Sequence, residues 1–401
     1  MKIVIVNDYA DIKGVSSAVA IESARALAQA GESVIFFCAA GPIDEKLIHK
    51  NITVISMDQK DIIENSYENS RLWNRKAYVS LGRLLGSLDK NNTVVHFHSF
   101  VNILSSAALR VVKDRGFKCV LTLHDYFTAC PNGNFYDCRN ESCCELEGLS
   151  AACIRSNCEK RGYMHKLWLC SRQAIQMKKG RVPAGVDAFI SISEYSERIL
   201  RPYLSESARI YRVKNPVNIQ NEGPERVAES KVFTFLDRLG AENGAGIFAQ
   251  AASLAGVEAT FIGDGPMRKQ LEEILPGALF SGRLRPENEI RLLRESRAIV
   301  FPTLLNEMHA LAVLKAKALG IPSIVSSGSS AEEFVESGED GFIFERGSID
   351  DLVQKLKIMG SDSLVRRMGR EAHRRYWEAS WTPENHAIEL MEVYNDVLGG
   401  I

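Results

Sequence analysis

Short runs of apolar residues, each closed by polar ones, alternate along most of the chain with stretches whose apolar positions recur at helical spacing. Lys2–Asn7 (KIVIVN) is the first run, of the kind shown by a parallel strand buried on both faces. A polar interval leads to Gly14, and a helical pattern from Val15 to Ala30 closes at Gly31. Further strands are expected at Ser33–Ala39, Thr53–Met57, Thr93–Ser99, Lys118–His124, Ala188–Ser193 and Ile210–Lys214. Strand and helix in alternation predict a doubly wound α/β domain.

Asn215 to Lys231 holds Pro216, Gly223 and Pro224 and reads as a linker. The alternation then restarts at Val232–Leu236, Ala259–Gly263, Ala278–Ser281, Ala298–Phe301, Ser323–Ser326 and Gly341–Glu345. Asp350 to Leu398 is expected to be helical, broken once at Trp381–Thr382–Pro383. The fold class is α/β, with two doubly wound, Rossmann-like domains facing a central cleft where a ligand is expected.

Phe301 to Pro322 (FPTLLNEMHALAVLKAKALGIP) is the stretch richest in chemistry. A strand end, a polar turn with one acid, Glu307, and a helix from Ala310 to Leu319 place backbone N–H groups where an anion could be met.

Composition narrows the classes. With 401 residues the chain exceeds one usual core, so two domains of roughly 200 residues are expected. A hydrophobic content of 45% and a charged content of 25% are those of a globular protein. The formal net charge of −1 argues against nucleic acid as a partner, since phosphate binding needs surplus Lys and Arg. No run reaches the length of a membrane span, and Met1–Lys2 leads directly into a strand, so a cytoplasmic location is expected.

Six of the nine cysteines, Cys130, Cys138, Cys143, Cys144, Cys153 and Cys158, fall in an insertion spanning 126–160. Such density in a cytoplasmic protein points first to a structural zinc, then to an iron–sulfur centre, with unligated thiols as the third reading. Beyond it, residues 155–181 carry eight basic side chains against one acid, interleaved with Met164, Leu167, Trp168 and Leu169. That pattern suits an anionic membrane surface at the inner face as well as it suits a solvated helix.

With both halves laid out, the chain resembles the GT-B glycosyltransferases, specifically the large retaining family 4. Phe235–Leu236–Asp237–Arg238–Leu239–Gly240–Ala241–Glu242–Asn243–Gly244 aligns with the family's strand, Gly-Arg-Leu and Glu-Lys-Gly run. Gly263–Asp264–Gly265–Pro266 matches its GDGP turn, and Glu307 falls on its two-glutamate motif. Leu121–Thr122–Leu123–His124–Asp125 looks like the strand end bearing the family's active-site histidine, and Gly14 sits where a glycine-rich phosphate loop is expected.

The resemblance implies a nucleotide diphosphate sugar as co-substrate, no catalytic metal, and a saccharide or lipid-linked acceptor. Arg238 would clamp the diphosphate with parallel hydrogen bonds. Gly14, Asn243, Gly263 and Lys315 would lie along the donor. Glu307 would bind the donor sugar's hydroxyls, with the amides of His309, Ala310 and Leu311 capping the sugar or its phosphate. His124 would stand near the reacting carbon across the cleft. His96 and His98 alternate on a strand end and, with Asp125, are assigned to the acceptor side. The implied division is an acceptor domain of residues 1–215 plus about 381–401 and a donor domain of 216–380.

Three departures stand out. The motif's second glutamate is Lys315, a donor where the family uses an acceptor for ribose hydroxyls. The phosphate-binding lysine is Asn243, and the paired glycines before Glu333 are Ser329 and Ser330. The expected function is transfer of a sugar in polysaccharide or glycolipid biosynthesis. A non-catalytic GT-B binding or scaffold protein is the alternative, and an epimerase or hydrolase on the same fold is a further one.

Overall fold

The computed structural model describes residues 1–59, 72–379 and 381–399. The chain divides into two compact units, one of Met1–Phe135, Glu145–Pro216 and Thr382–Ile401, the other of Tyr136–Cys144 and Val217–Trp381.

The first unit is built on β1 (Lys2–Tyr9), β2 (Ser33–Ala40), β3 (Ile52–Ser56), β4 (Thr93–Phe97), β5 (Lys118–Thr122), β8 (Ala188–Ser191) and β9 (Arg209–Arg212). They form one parallel sheet in the order β3-β2-β1-β4-β5-β8-β9. The chain runs outward from β1 to β3 and then returns to set β4 against β1, so the order reverses between those two strands. In an open parallel sheet the loops leaving such a reversal diverge to opposite faces and leave a crevice at the carboxyl ends. Helices α1 (Val15–Gln29), α2 (Arg75–Leu85), α3 (Ala107–Asp114), α4 (Ala151–Arg155), α5 (Tyr163–Lys178) and α6 (Glu194–Leu200) accompany the strands. Ile3, Ile5, Phe36, Val94, Val120 and Ile190 form one core with Ala24 and Leu27 of α1.

The hairpin β6 (Tyr136–Asp137) with β7 (Ser142–Cys143) belongs to the second unit. Its main sheet takes the order β12-β11-β10-β13-β14-β15, all parallel, from β10 (Val232–Leu236), β11 (Glu258–Ile262), β12 (Leu279–Gly282), β13 (Ala298–Phe301), β14 (Ser323–Ser326) and β15 (Gly341–Phe344). Here the reversal lies between β10 and β13. The helices are α7 (Ala245–Ala255), α8 (Arg268–Ile274), α9 (Pro286–Leu293), α10 (Leu311–Ala318), α11 (Ile349–Ile358) and α12 (Asp362–Ala379). Phe235, Phe248 and Phe261 pack ring on ring at the centre of its core.

The last helix, α13 (Pro383–Leu398), belongs to the first unit. His386 and Tyr394 pin it there: the His386 ring bonds Ser23 Oγ at 2.8 Å and the Lys214 carbonyl at 2.8 Å, and Tyr394 Oη meets His96 Nδ1 at 2.7 Å. Burial lowers the His386 pKa to about 4, so the ring is neutral. The expected helix from Asp350 to Leu398 is therefore three helices; Ser380 and residues 400–401 lie outside the described residues.

Several strands end before the bounds expected of them, β5 at Thr122, β8 at Ser191 and β9 at Arg212 among them. β4 ends at Phe97, not Ser99, because the segment after it turns onto Asp8. The buried Asp8 carboxylate accepts hydrogen bonds from Ser99 Oγ (2.8 Å) and from the amides of Asn102 (3.0 Å), Ile103 (3.0 Å) and Leu104 (2.8 Å).

Candidate active site

In the second unit, the residues that the sequence singled out gather where the sheet reverses. Arg238 follows β10, and the turn with Glu307 follows β13. Close backbone packing joins the two. Gly244 has φ +75°, and a Cβ there would stand 1.9 Å from the Pro302 carbonyl oxygen, so only glycine admits this approach. The Leu304 amide donates to the Glu242 carbonyl at 2.9 Å. Gly263, with φ +140°, lies so near the Asp237 carbonyl that a Cβ would come within 2.0 Å of it.

The Arg238 side chain is exposed, and among the described residues no carboxylate or carbonyl engages its guanidinium. The Glu307 carboxylate accepts the amides of Met308 at 3.1 Å and His309 at 3.0 Å. The His309 amide, expected to cap a donor, is thus taken by Glu307. At the start of α10, the amides of Ala310 and Leu311 have no acceptor among the described residues. Burial, and then the charge of Asp237, push the Glu307 pKa up to about 7, against the pull of the two amides.

Two departures from the family pattern explain each other. Asp237 stands where the family has a glycine, and its carboxylate accepts a hydrogen bond from the side chain of Asn243, the residue in the lysine's place. Asn243 is buried and helps hold the Asp237 carboxyl down. Burial raises the Asp237 pKa, while the Arg238 amide and Asn243 oppose the rise. Lys315 is ion-paired with Glu289 of α9. Neither Asp237 nor Glu289 carried a role in the sequence reading. Asp237 was visible as an acid in place of a glycine; Glu289 is 26 residues from its partner and gives no local signal.

In the first unit, Gly14 opens α1 in an extended conformation, φ −178°, and a Cβ there would meet nothing within 4 Å. Any residue adopts that backbone, so what the glycine leaves is open space. His98 Nδ1 and His124 Nε2 are hydrogen-bonded at 2.9 Å with stacked rings. His96 is different. It is fully buried, held by Tyr394 Oη and by Thr122 Oγ1 at 2.7 Å, and burial drives its pKa well down. The expectation that it lines the acceptor side is corrected: α13 covers that face of β4. Asp125 caps its own turn by accepting the Phe127 amide at 2.9 Å, and burial raises its pKa to about 6.

The insertion that carries the six cysteines is divided between the two units. Tyr136–Cys144 belongs to the second unit, where Cys143 Sγ donates to the Leu304 carbonyl at 3.2 Å and accepts from Arg346 Nη1 at 2.9 Å. Cys130, Cys153 and Cys158 lie in the first unit. Among the described residues no group of three or more His, Cys, Asp or Glu side chains is arranged to hold a metal ion. The basic stretch is also less exposed than expected: Lys166 and Arg172 turn inward, Arg172 donating to the Pro131 carbonyl at 2.9 Å. No helix among the described residues is long and apolar enough to cross a membrane.

Comparison with known proteins agrees with this geometry. Residues 16–221 match the family described as Glycosyltransferase Family 4, and residues 230–362 match Glycosyl transferases group 1. A sulfoquinovosyl transferase of Arabidopsis thaliana is 29% identical over 132 residues, covering 30% of this chain and 26% of that protein. A GDP-mannose-dependent alpha-mannosyltransferase of Corynebacterium glutamicum is 25% identical over 195 residues, covering 48% of this chain and 46% of that protein. The matches therefore span less than half the length of either relative. Among solved structures, Anabaena HepE in complex with UDP superposes with a TM-score of 0.68 at 14% identity, covering 99% of this chain and 100% of that one. A sucrose-phosphate synthase from Thermosynechococcus elongatus gives 0.69 at 15% identity, covering 99% of each chain. These likenesses carry the fold, and the family matches carry the kinship: the chain belongs to glycosyltransferase family 4.

Proposed function

We propose that the chain is a retaining glycosyltransferase that moves a sugar from a nucleotide diphosphate sugar to a saccharide or lipid-linked acceptor, as part of polysaccharide or glycolipid biosynthesis. The observation that carries this reading is the unpartnered Arg238 guanidinium beside the free amides of Ala310 and Leu311, all at one sheet reversal. Catalysis must stabilise charge that builds on the departing diphosphate, and fixed donors at that point do so without reorganising. UDP and glucose in the HepE structures, and GDP-mannose in the mannosyltransferase's name, are the kind of ligand this arrangement suits.

In the proposed step, the bond from the anomeric carbon to the diphosphate breaks while the acceptor hydroxyl bonds to the same face. The hydroxyl proton passes to the leaving phosphate oxygen. Glu307 holds the sugar's hydroxyls, Arg238 holds the diphosphate, and the pair of His98 and His124 fixes the orientation of the His124 ring. The acceptor is assigned to the first unit and the donor to the second.

Incubation with a panel of sugar nucleotides and lipid-linked or free saccharide acceptors tests the reading. Product with the donor's anomeric configuration supports it. Nucleotide binding without any product supports a second reading, a binding protein, which the engagement of Asn243 by Asp237 and of Lys315 by Glu289 favours.

A further inference from the structure

Lys166 of α5 is 1% exposed, yet among the described residues no carboxylate reaches it. Its Nζ lies 3.2 Å from Cys158 Sγ and 3.4 Å from Cys153 Sγ, and both cysteines are buried. A buried ammonium away from water requires an anion. The two sulfurs are the groups that the fold sets against that charge. Cys158 is the better placed of the two, because Asn132 Nδ2 also donates to it at 3.6 Å, and Asn132 Oδ1 in turn accepts from Cys130 Sγ at 2.9 Å. Cys153 is held on the first turn of α4, its amide donating to Ser150 Oγ at 3.1 Å, while Cys158 follows the helix after an extended Ser156. The one ammonium contacts both sulfurs.

We propose that Cys153, Cys158 and Lys166 form a peroxide-reactive site in which the two thiols close to a disulfide. A thiolate beside a cation is the reactive form of cysteine, and hydrogen peroxide is about the size of water. Cys158 sulfur attacks one peroxide oxygen; the S–O bond forms, the O–O bond breaks, and the departing hydroxide takes a proton from Lys166 to become water. Cys153 sulfur then attacks Cys158 sulfur; the S–S bond forms, the S–O bond breaks, and the hydroxyl leaves with the Cys153 proton as a second water. Two thiols lose two electrons, one peroxide is reduced to two waters, and Lys166 is left neutral. That is the charge state a buried amine without an anion prefers.

The test treats the full chain with one equivalent of hydrogen peroxide, caps remaining thiols with iodoacetamide, and maps tryptic peptides by mass spectrometry. Trypsin cuts after Arg155 and so separates the two cysteines, which makes their disulfide visible as a reducible link between peptides. The link is expected to form at least about tenfold faster in the wild type than in Lys166→Met, with Lys166→Arg close to wild type. Cys153→Ser is expected to stop at a Cys158 sulfenic acid that dimedone traps, an arm independent of how the lysine variants fold. The proposal is overturned if both cysteines are recovered as free thiols, if Lys166→Met oxidises at the wild-type rate, if the link joins Lys166 to a sulfur, or if anaerobically purified protein carries stoichiometric zinc that shields both.

Discussion

The ammonium of Lys315 in α10 is ion-paired with the carboxylate of Glu289 in α9. The acid missing from α10 is thus present one side chain away, on the neighbouring helix, and the lysine's charge is already neutralised. Lys315 is consequently a weak candidate to replace the cation lost at Asn243. Each partner is less than a third exposed, so the pair is expected to couple by about 1 kcal/mol. Glu289→Lys and Lys315→Glu should each lower the melting temperature and weaken nucleotide binding. The double exchange should restore both, and a double-mutant cycle measures how far.

The Glu307 carboxyl, raised from an ordinary 4.5 to about 7, gives a pH dependence of known sign. Between those values the folded protein binds the proton more tightly than the unfolded chain does. Glu307 therefore favours folding most fully below pH 4.5, and this contribution is lost as pH rises through 7. Glu307→Gln should flatten that part of the stability profile and raise the urea midpoint at pH 8 relative to wild type, while abolishing transfer. Asp237→Asn should shift the same transition downward, since the charge that helps raise the pKa is gone. Urea titrations at pH 5 and pH 8 check both.

Asp8 holds three amides and a hydroxyl with one carboxylate. Asp8→Ala leaves those donors buried and unanswered, at a cost of about 3–5 kcal/mol, whereas Asp8→Asn keeps one acceptor oxygen and should cost less. Denaturant unfolding gives the two values. An Asp8→Ala protein as stable as wild type would contradict the assignment.

Gly14 separates folding from binding. Its backbone is extended and a Cβ meets nothing, so Gly14→Ala should melt at the wild-type temperature. If the diphosphate comes close to this backbone, the added methyl should still weaken nucleotide binding several-fold. Calorimetric binding beside thermal melting distinguishes the two effects.

Much of the fold was legible because buried parallel strands are continuous apolar runs: Val232–Leu236, Ala298–Phe301 and Ser323–Ser326 have the bounds their sequences suggest. Strand ends were less legible where a distant side chain decides them, as Asp8 does for the residues after Phe97. For the site, sequence order located Arg238 and Glu307, since each follows a strand at the reversal. Partners were beyond its reach. That Asn243 turns to Asp237, that His96 is closed off by Tyr394, and that Lys166 meets two sulfurs all depend on contacts between residues remote in sequence or on rotamers that a motif does not encode.

Calorimetric titration of UDP, GDP and ADP into wild type and Arg238→Ala tests most directly whether the second unit grips a diphosphate through Arg238. At least one nucleotide should bind the wild type with 1:1 stoichiometry, and Arg238→Ala, folded by circular dichroism, should bind it at least about tenfold more weakly. Absence of binding by all three, or equal affinity in the variant, would contradict the account.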